Sequence, residues 1–160
     1  MVNNMKHFNP GDIVKFKDFG GDGGAIGIVI EGMKDYNNAY CVIFDKAWAR
    51  YTHFCDGLAI DSRGYYCLAE RLKLISERKY DISFNVGDLV FLQKERMFGI
   101  IKSVLMNSRT KDKKFNISIT YPIQKSRLNV ESNERDIILI EKSKDCLIKK
   151  PKRKITDLLG

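Results

Sequence analysis

The chain has 160 residues, with 28 basic and 20 acidic side chains and a net charge of +8. At 44% hydrophobic it carries enough apolar material for a core, which argues against wholesale disorder. No apolar run approaches the ~20 residues that a spanning helix needs, and the sign of the charge excludes a polyanion mimic.

Met1 to Pro10 shows no apolar stretch of signal-peptide type. An intracellular chain is therefore expected, with Cys41, Cys55, Cys67 and Cys146 as reduced thiols. Val14 to Lys17 alternates apolar and charged residues, the period of a half-buried strand. Gly20-Gly21-Asp22-Gly23-Gly24 reads as a turn, because glycine takes left-handed backbone angles without steric cost. Ala25 to Ile30 is a β-branched run and predicts the second strand. A turn over Met33 to Asn38 leads to a third strand, Ala39 to Phe44. After a long insertion, Tyr65 to Leu68 and Arg71 to Ile75 supply two more.

The pattern then repeats. Phe8-Asn9-Pro10-Gly11-Asp12-Ile13-Val14 returns as Phe84-Asn85-Val86-Gly87-Asp88-Leu89-Val90, with five of seven positions identical. Gly27-Ile28-Val29 is echoed by Gly99-Ile100-Ile101, and Tyr40 to Phe44 in pattern by Phe115 to Ile119. Glu70-Arg71 before an apolar run matches Glu134-Arg135. The second copy predicts strands at Leu89 to Gln93, Gly99 to Leu105, Phe115 to Tyr121 and Ile137 to Ile140. No stretch of either copy sustains a 3.6-residue period. Each copy is expected to be an all-β meander of about five short strands, curled into a small barrel that leaves no open edge.

Charge is distributed unevenly. Residues 1–75 carry nine basic and nine acidic side chains, residues 76–141 twelve and nine, and residues 142–160 seven and two. The expected organisation is a first domain over 1–77, a second over 78–141 and a basic C-terminal tail over 142–160.

Gly11-Asp12-Ile13-Val14-Lys15-Phe16 followed by Gly23-Gly24-Ala25-Ile26-Gly27-Ile28-Val29 resembles the KOW motif. That motif has a Gly-Asp-apolar-Val strand, a glycine-bearing turn and Gly-x-Val in the next strand. The resemblance covers about 25 residues of the first copy. The second copy keeps Gly87-Asp88-Leu89-Val90 and Gly99-Ile100-Ile101 but has Lys94-Glu95-Arg96 where the glycine turn stood. The resemblance implies two tandem SH3-like barrels of KOW/Tudor type, with nucleic-acid or RNA-polymerase contact. The whole chain also resembles early transcription modulators of T-even bacteriophages, which implies a DNA-binding protein on the nucleoid, in the cytoplasm of an infected bacterium.

Three groups of residues are candidates for binding nucleic acid. In the tail, Lys149, Lys150, Lys152, Arg153 and Lys154 cannot bury anything, and phosphate is their natural partner through counterion release. In the second copy, Arg109, Lys111, Lys113 and Lys114 fall on the long loop before its third strand, and Lys94, Arg96, Lys125 and Arg127 on neighbouring turns. In the first copy, Lys46, Trp48 and Arg50 interleave cations with an aromatic in the insertion, where rings stack on bases. Lys15, Lys17 and Lys34 would add a shallow basic face. The competing expectation for Trp48 is that it covers one mouth of the barrel. A Tudor-like reading makes Tyr36, Tyr40, Trp48, Tyr51, Tyr65 and Tyr66 a cage for a cationic peptide side chain.

His53, Cys55 and Cys67 lack the paired spacing of a zinc site. No nucleophile motif or P-loop is present. The expectation is a non-enzymatic protein without cofactor or metal, whose partner is double-stranded DNA, with RNA polymerase or nucleoid proteins as alternative partners, RNA as an alternative ligand and no membrane.

Overall fold

A computed structural model describes residues 6–19, 24–33, 38–48, 52, 53, 55–80, 82–122 and 128–143. The chain divides into two compact units, Met1–Tyr80 and Asp81–Gly160. Both are built from antiparallel strands, and among the described residues there is no α-helix, only single turns of 3-10 helix.

Unit one contains β1 (Ile13–Phe16), β2 (Ala25–Gly32), β3 (Ala39–Phe44), β4 (Gly64–Leu68) and β5 (Leu72–Ser76). Their order is β4-β3-β2-β1-β5. Unit two contains β6 (Leu89–Leu92), β7 (Met97–Met106), β8 (Lys113–Tyr121), β9 (Asn129–Asn133) and β10 (Ile137–Glu141), in the order β10-β6-β7-β8-β9. In each unit the first strand pairs with both the second and the last. A 3-10 turn, Ala69–Arg71 or Glu134–Asp136, precedes the last strand. This is the topology of SH3-like barrels, here twice in tandem along one chain.

The two cores correspond residue by residue. Val14, Phe16, Val29, Val42 and Leu72 are buried in unit one, and Val90, Leu92, Ile101, Ile117 and Ile137 occupy the matching positions in unit two. Gly27 and Gly99 stand where neighbouring strands approach closely. A Cβ on Gly27 would strike Val42 Cγ1, and one on Gly99 would strike Ile117 Cγ2.

The Gly-Asp pair of each copy has a structural role. Gly11 and Gly87 adopt φ of 94° and 95°, which favours glycine. The following aspartates are buried. Asp12 accepts hydrogen bonds from Asn9 N at 2.8 Å and from Arg78 N, just past β5, at 2.9 Å. Asp88 accepts from Asn85 N at 2.9 Å and from Ser143 N, just past β10, at 2.8 Å. Each carboxylate therefore ties the chain entering its barrel to the chain leaving it.

The structure adds three features to the expected strands. β9 carries one apolar residue, Val130, and so lacked an apolar alternation to reveal it. β7 and β8 extend beyond their expected ends into a longer hairpin. In unit one, all six residues of β3 are buried, so this strand is covered on both faces. Part of the insertion accounts for the second cover: Cys55, Leu58, Ala59 and Ile60 are buried, and a Cβ at Gly64 would strike Ala59 Cβ and Cys55 Sγ.

Candidate nucleic-acid interface

The densest group of described cations lies on the β7–β8 hairpin. Its strands pair through Ile101–Ile117, Ser103–Asn116, Val104–Phe115, Leu105–Lys114 and Met106–Lys113, with an irregularity between Ile101 and Ser103 at Lys102. The tip is held by its own hydrogen bonds. Asn107 N donates to Asp112 O at 2.9 Å and Lys111 N to Asn107 O at 2.8 Å. Asn107 Oδ1 accepts from Arg109 N at 2.9 Å. Lys111 takes φ of 60°, and the turn closes around it.

Arg109, Lys111, Lys113 and Lys114, expected on a loop, thus occupy a structured tip and the first residues of β8, and all four are exposed. Lys102, on β7, joins them and was missed, although its charge within a predicted strand already called for an outward position. Between Lys102 and Lys114 there are five cations and one acid, Asp112.

The tip end of the hairpin forms one wall of a cleft of about 720 Å³ lined by Lys111 to Lys114 and Asn133 to Asp136, which brings Arg135 to the same region together with Glu134 and Asp136. A smaller cleft of about 170 Å³ is lined by Lys94 and Lys114 together with Glu95, Glu131 and Asp136, so the turn after β6 meets the hairpin at a site of mixed charge. Lys94 is an exposed ion-pair partner of Asp136 at 3.3 Å. Arg96 adopts φ of 56° and its N–H closes the turn onto Leu92 O at 2.8 Å.

In unit one the candidates separate. Lys15 lies on β1 between Ile26 and Lys73 in register, so Lys15 and the exposed Lys73 share the outer face. The stem of Lys15 packs over Gly24, where an added Cβ would come within 2.7 Å of Lys15 Cγ. Lys17 lies beyond the end of β1, exposed, with its backbone N–H bonded to Arg71 O at 3.2 Å.

Trp48 packs against the unit-one core. It stacks on Phe19 at 6.3 Å with 19° between the planes, and Lys46 Nζ lies 4.4 Å from its ring centroid. This is the barrel-covering position, with an internal cation on the ring. Its Nε1 is buried with no hydrogen-bond acceptor.

The aromatic cage does not assemble among the described residues. Tyr40 is buried, with its ring edge-on to Phe8 at 5.4 Å and its hydroxyl accepting from Phe8 N at 3.2 Å. Tyr65 packs on Phe16 and Phe19, whereas Tyr66, its neighbour on β4, leaves the opposite face of the strand.

Lys34, Arg50 and the tail cations Lys149, Lys150, Lys152, Arg153 and Lys154 lie outside the described residues, as do Tyr36, Tyr51, Lys125, Arg127 and Cys146. Lys142 and Ser143, grouped with the tail by charge, are fastened to unit two. Lys142 Nζ donates to Ser83 O at 2.5 Å and to Asp88 Oδ2 at 3.3 Å, and Ser143 N to Asp88 Oδ1. They close the barrel rather than begin a free tail.

Cys41, Cys55 and Cys67 are buried free thiols. A hydrogen bond with Cys55, and then burial, pushes the Cys41 thiol far above its ordinary range. Burial, and then the neighbouring Cys55, raises that of Cys67. Both are held as neutral thiols, which suits packing rather than nucleophilic chemistry. His53 is occupied by its own turn, with Nδ1 accepting from Cys55 N at 2.9 Å. Among the described residues no three His, Cys, Asp or Glu side chains are grouped to hold a metal ion, and no helix is long and apolar enough to cross a membrane.

No family model matches the chain, and no curated protein matches it. Among solved structures it is similar to the crystal structure of ADCP1 tandem Agenet domain 3-4, at 16% identity and a TM-score of 0.29, over 82% of this chain and 79% of that one. The assignment of tandem SH3-like barrels rests on strand order and register.

Proposed function

We propose that this chain is a non-enzymatic, largely sequence-independent double-stranded DNA-binding protein of nucleoid-associated type. It coats or compacts DNA in the bacterial cytoplasm and thereby modulates transcription. The observation that carries this reading is the β7–β8 hairpin, with five exposed cations and one acid between Lys102 and Lys114. The net charge of +5 over residues 142–160, from seven basic and two acidic side chains, supports it. Backbone contact is favoured over base readout, because the described cations sit on strands and turns and no described α-helix is available for the major groove.

Fluorescence anisotropy with labelled duplex DNA over a salt series, with single-stranded DNA and RNA as competitors, tests the reading. Affinity is expected to fall with a slope of about −0.9 per phosphate neutralised on a log-log plot. A chain ending after Ser143, which keeps the Asp88 closure, is expected to show a shallower slope. An absence of duplex binding at low salt refutes the proposal, and an unchanged slope removes the tail from it.

A second reading, docking on RNA polymerase, is favoured by one observation. Ile13 and Ile26 are exposed on the outer face of β1 and β2 beside Lys15. Retention of polymerase by the chain ending after Ser143, without duplex binding, would select it.

A further inference from the structure

The β7–β8 hairpin carries apolar side chains that the barrel does not use. Its strands have 10 and 9 residues, against 8 and 6 in the corresponding β2–β3 pair. The unit-two core reaches Ile101 on β7 and Phe115 on β8 and stops there. Beyond it, Val104, Leu105 and Met106 are 38%, 54% and 60% exposed. Three consecutive exposed apolar residues at a strand end are a solubility liability unless they serve contact with a partner.

Register shows what accompanies them. Leu105 lies directly across from Lys114, and Met106 across from Lys113. Cross-strand partners in an antiparallel ladder share a face, and successive residues alternate faces. One face of the ribbon therefore presents Met106 with Lys113, and the other Leu105 with Lys114. The hydrogen-bonded tip at Asn107 to Asp112 fixes this arrangement before any partner arrives.

We propose that the hairpin is a wedge. Its cations seat it on the phosphate rails of duplex DNA from the minor-groove side, and Met106, the apolar residue nearest the tip, presses against a base step while Leu105 on the opposite face lies along the groove wall, unstacking the step and bending the duplex. Apolar wedges flanked by cations are the means by which minor-groove proteins kink DNA. The two-faced arrangement favours a groove, which offers two phosphate-lined walls, over a lipid surface, which offers one plane. The inference rests on the DNA-binding reading and adds a deformation to it.

The test uses the full chain and a 25-base-pair duplex carrying a fluorescence donor and acceptor at its ends. A duplex of that length is far shorter than the persistence length of about 150 base pairs, so unbound it is nearly straight. Wild-type protein is expected to raise energy transfer on binding. The double variant Leu105→Ser with Met106→Ser changes exposed positions only, so its thermal unfolding should match wild type. It is expected to keep duplex affinity within about tenfold, with the same salt slope, because the phosphate contacts remain. Its gain in energy transfer should be lost.

Binding by wild type without any change in energy transfer overturns the wedge while leaving DNA binding in place. A variant that bends the duplex as fully as wild type overturns it too. Failure of wild type to bind any duplex at low salt removes the DNA-binding reading and the wedge with it. Binding to vesicles of mixed neutral and anionic lipid that depends on Leu105 and Met106, with no bending of the duplex, assigns the hairpin to a membrane surface instead.

Discussion

Replacing Asp88 by alanine should cost unit two about 3 kcal/mol, because it leaves buried backbone donors without an acceptor. The carboxylate is fully buried and accepts from Asn85 N at 2.9 Å, Ser143 N at 2.8 Å and Lys142 Nζ at 3.3 Å. An orphaned buried donor costs about 1–3 kcal/mol. Ser143 is buried and Asn85 half-buried, so the first N–H bears most of that cost while water partly satisfies the second. Lys142 keeps Ser83 O as an acceptor and contributes little. For a unit of this size, about 3 kcal/mol corresponds to a fall of about 12–24 °C in Tm. The assay separates the units, because the only tryptophan, Trp48, lies in unit one. Far-ultraviolet circular dichroism should show an early transition in Asp88→Ala, while the Trp48 fluorescence transition stays in place. Asp12→Ala should do the reverse. A loss below about 1 kcal/mol by both probes would refute the closure role, since that is no more than one ordinary hydrogen bond contributes.

Gly99→Ala should destabilise unit two by about 1–3 kcal/mol through overpacking, because the new methyl meets Ile117 Cγ2 and lies 2.7 Å from Ser118 O; urea midpoints followed by circular dichroism check it. Cys41 and Cys67 should resist a disulfide-exchange reagent in the folded protein at pH 8 and react only on unfolding, as counted by thiol release. Their raised folded values stabilise the native state fully below the ordinary thiol value of about 8.5. Above it, ionisation of these thiols in the unfolded chain progressively removes that contribution. A Tm unaffected by the double replacement Cys41→Ala with Cys67→Ala in its slope between pH 8 and pH 10 would contradict this.

The repeated frame was legible because its constraints are local. Gly11-Asp12 and Gly87-Asp88 mark one turn with one buried carboxylate, and the spacing to Gly27 and Gly99 marks a close strand crossing. Strand β3 was read to the residue because Ala39 to Phe44 is continuously apolar. β9 was not, because Asn-Val-Glu-Ser-Asn is held by pairing with β8 and by little else. The site divided along the same line. The cations of the hairpin were visible as composition, but their convergence with Lys94 and Arg135 depends on how the turns fold. The sequence left Trp48 open between a stacking platform and a cover for the barrel mouth, because composition cannot reveal Phe19, 29 positions earlier in sequence, stacked on it at 6.3 Å. Charge groups Lys142 and Ser143 with the tail, while their hydrogen bonds to Asp88, which no local pattern announces, fasten them to unit two.

The two copies share their closure and core positions and differ in what they build between β-strands. Unit one inserts residues after β3, and part of that insertion covers the strand's second face with Cys55, Leu58, Ala59 and Ile60. Unit two has no such insertion and instead carries its second and third strands outward into an uncovered hairpin. Added chain that buries apolar surface strengthens a fold. Added chain that leaves Val104, Leu105 and Met106 exposed, beside the exposed Lys113 and Lys114, weakens solubility and gains nothing for the barrel. An extension of the second kind fits the contact proposed for it with a partner outside the unit. On the proposed DNA-binding reading, unit one is the consolidated barrel and unit two makes the contact with the polyanion. Lys113→Glu with Lys114→Glu, which reverses the charge beside Met106 and Leu105, should therefore abolish more duplex affinity than Lys15→Glu with Lys73→Glu, which reverses the outer face of unit one. Equal losses from the two pairs, measured by anisotropy at the same salt, would refute that division.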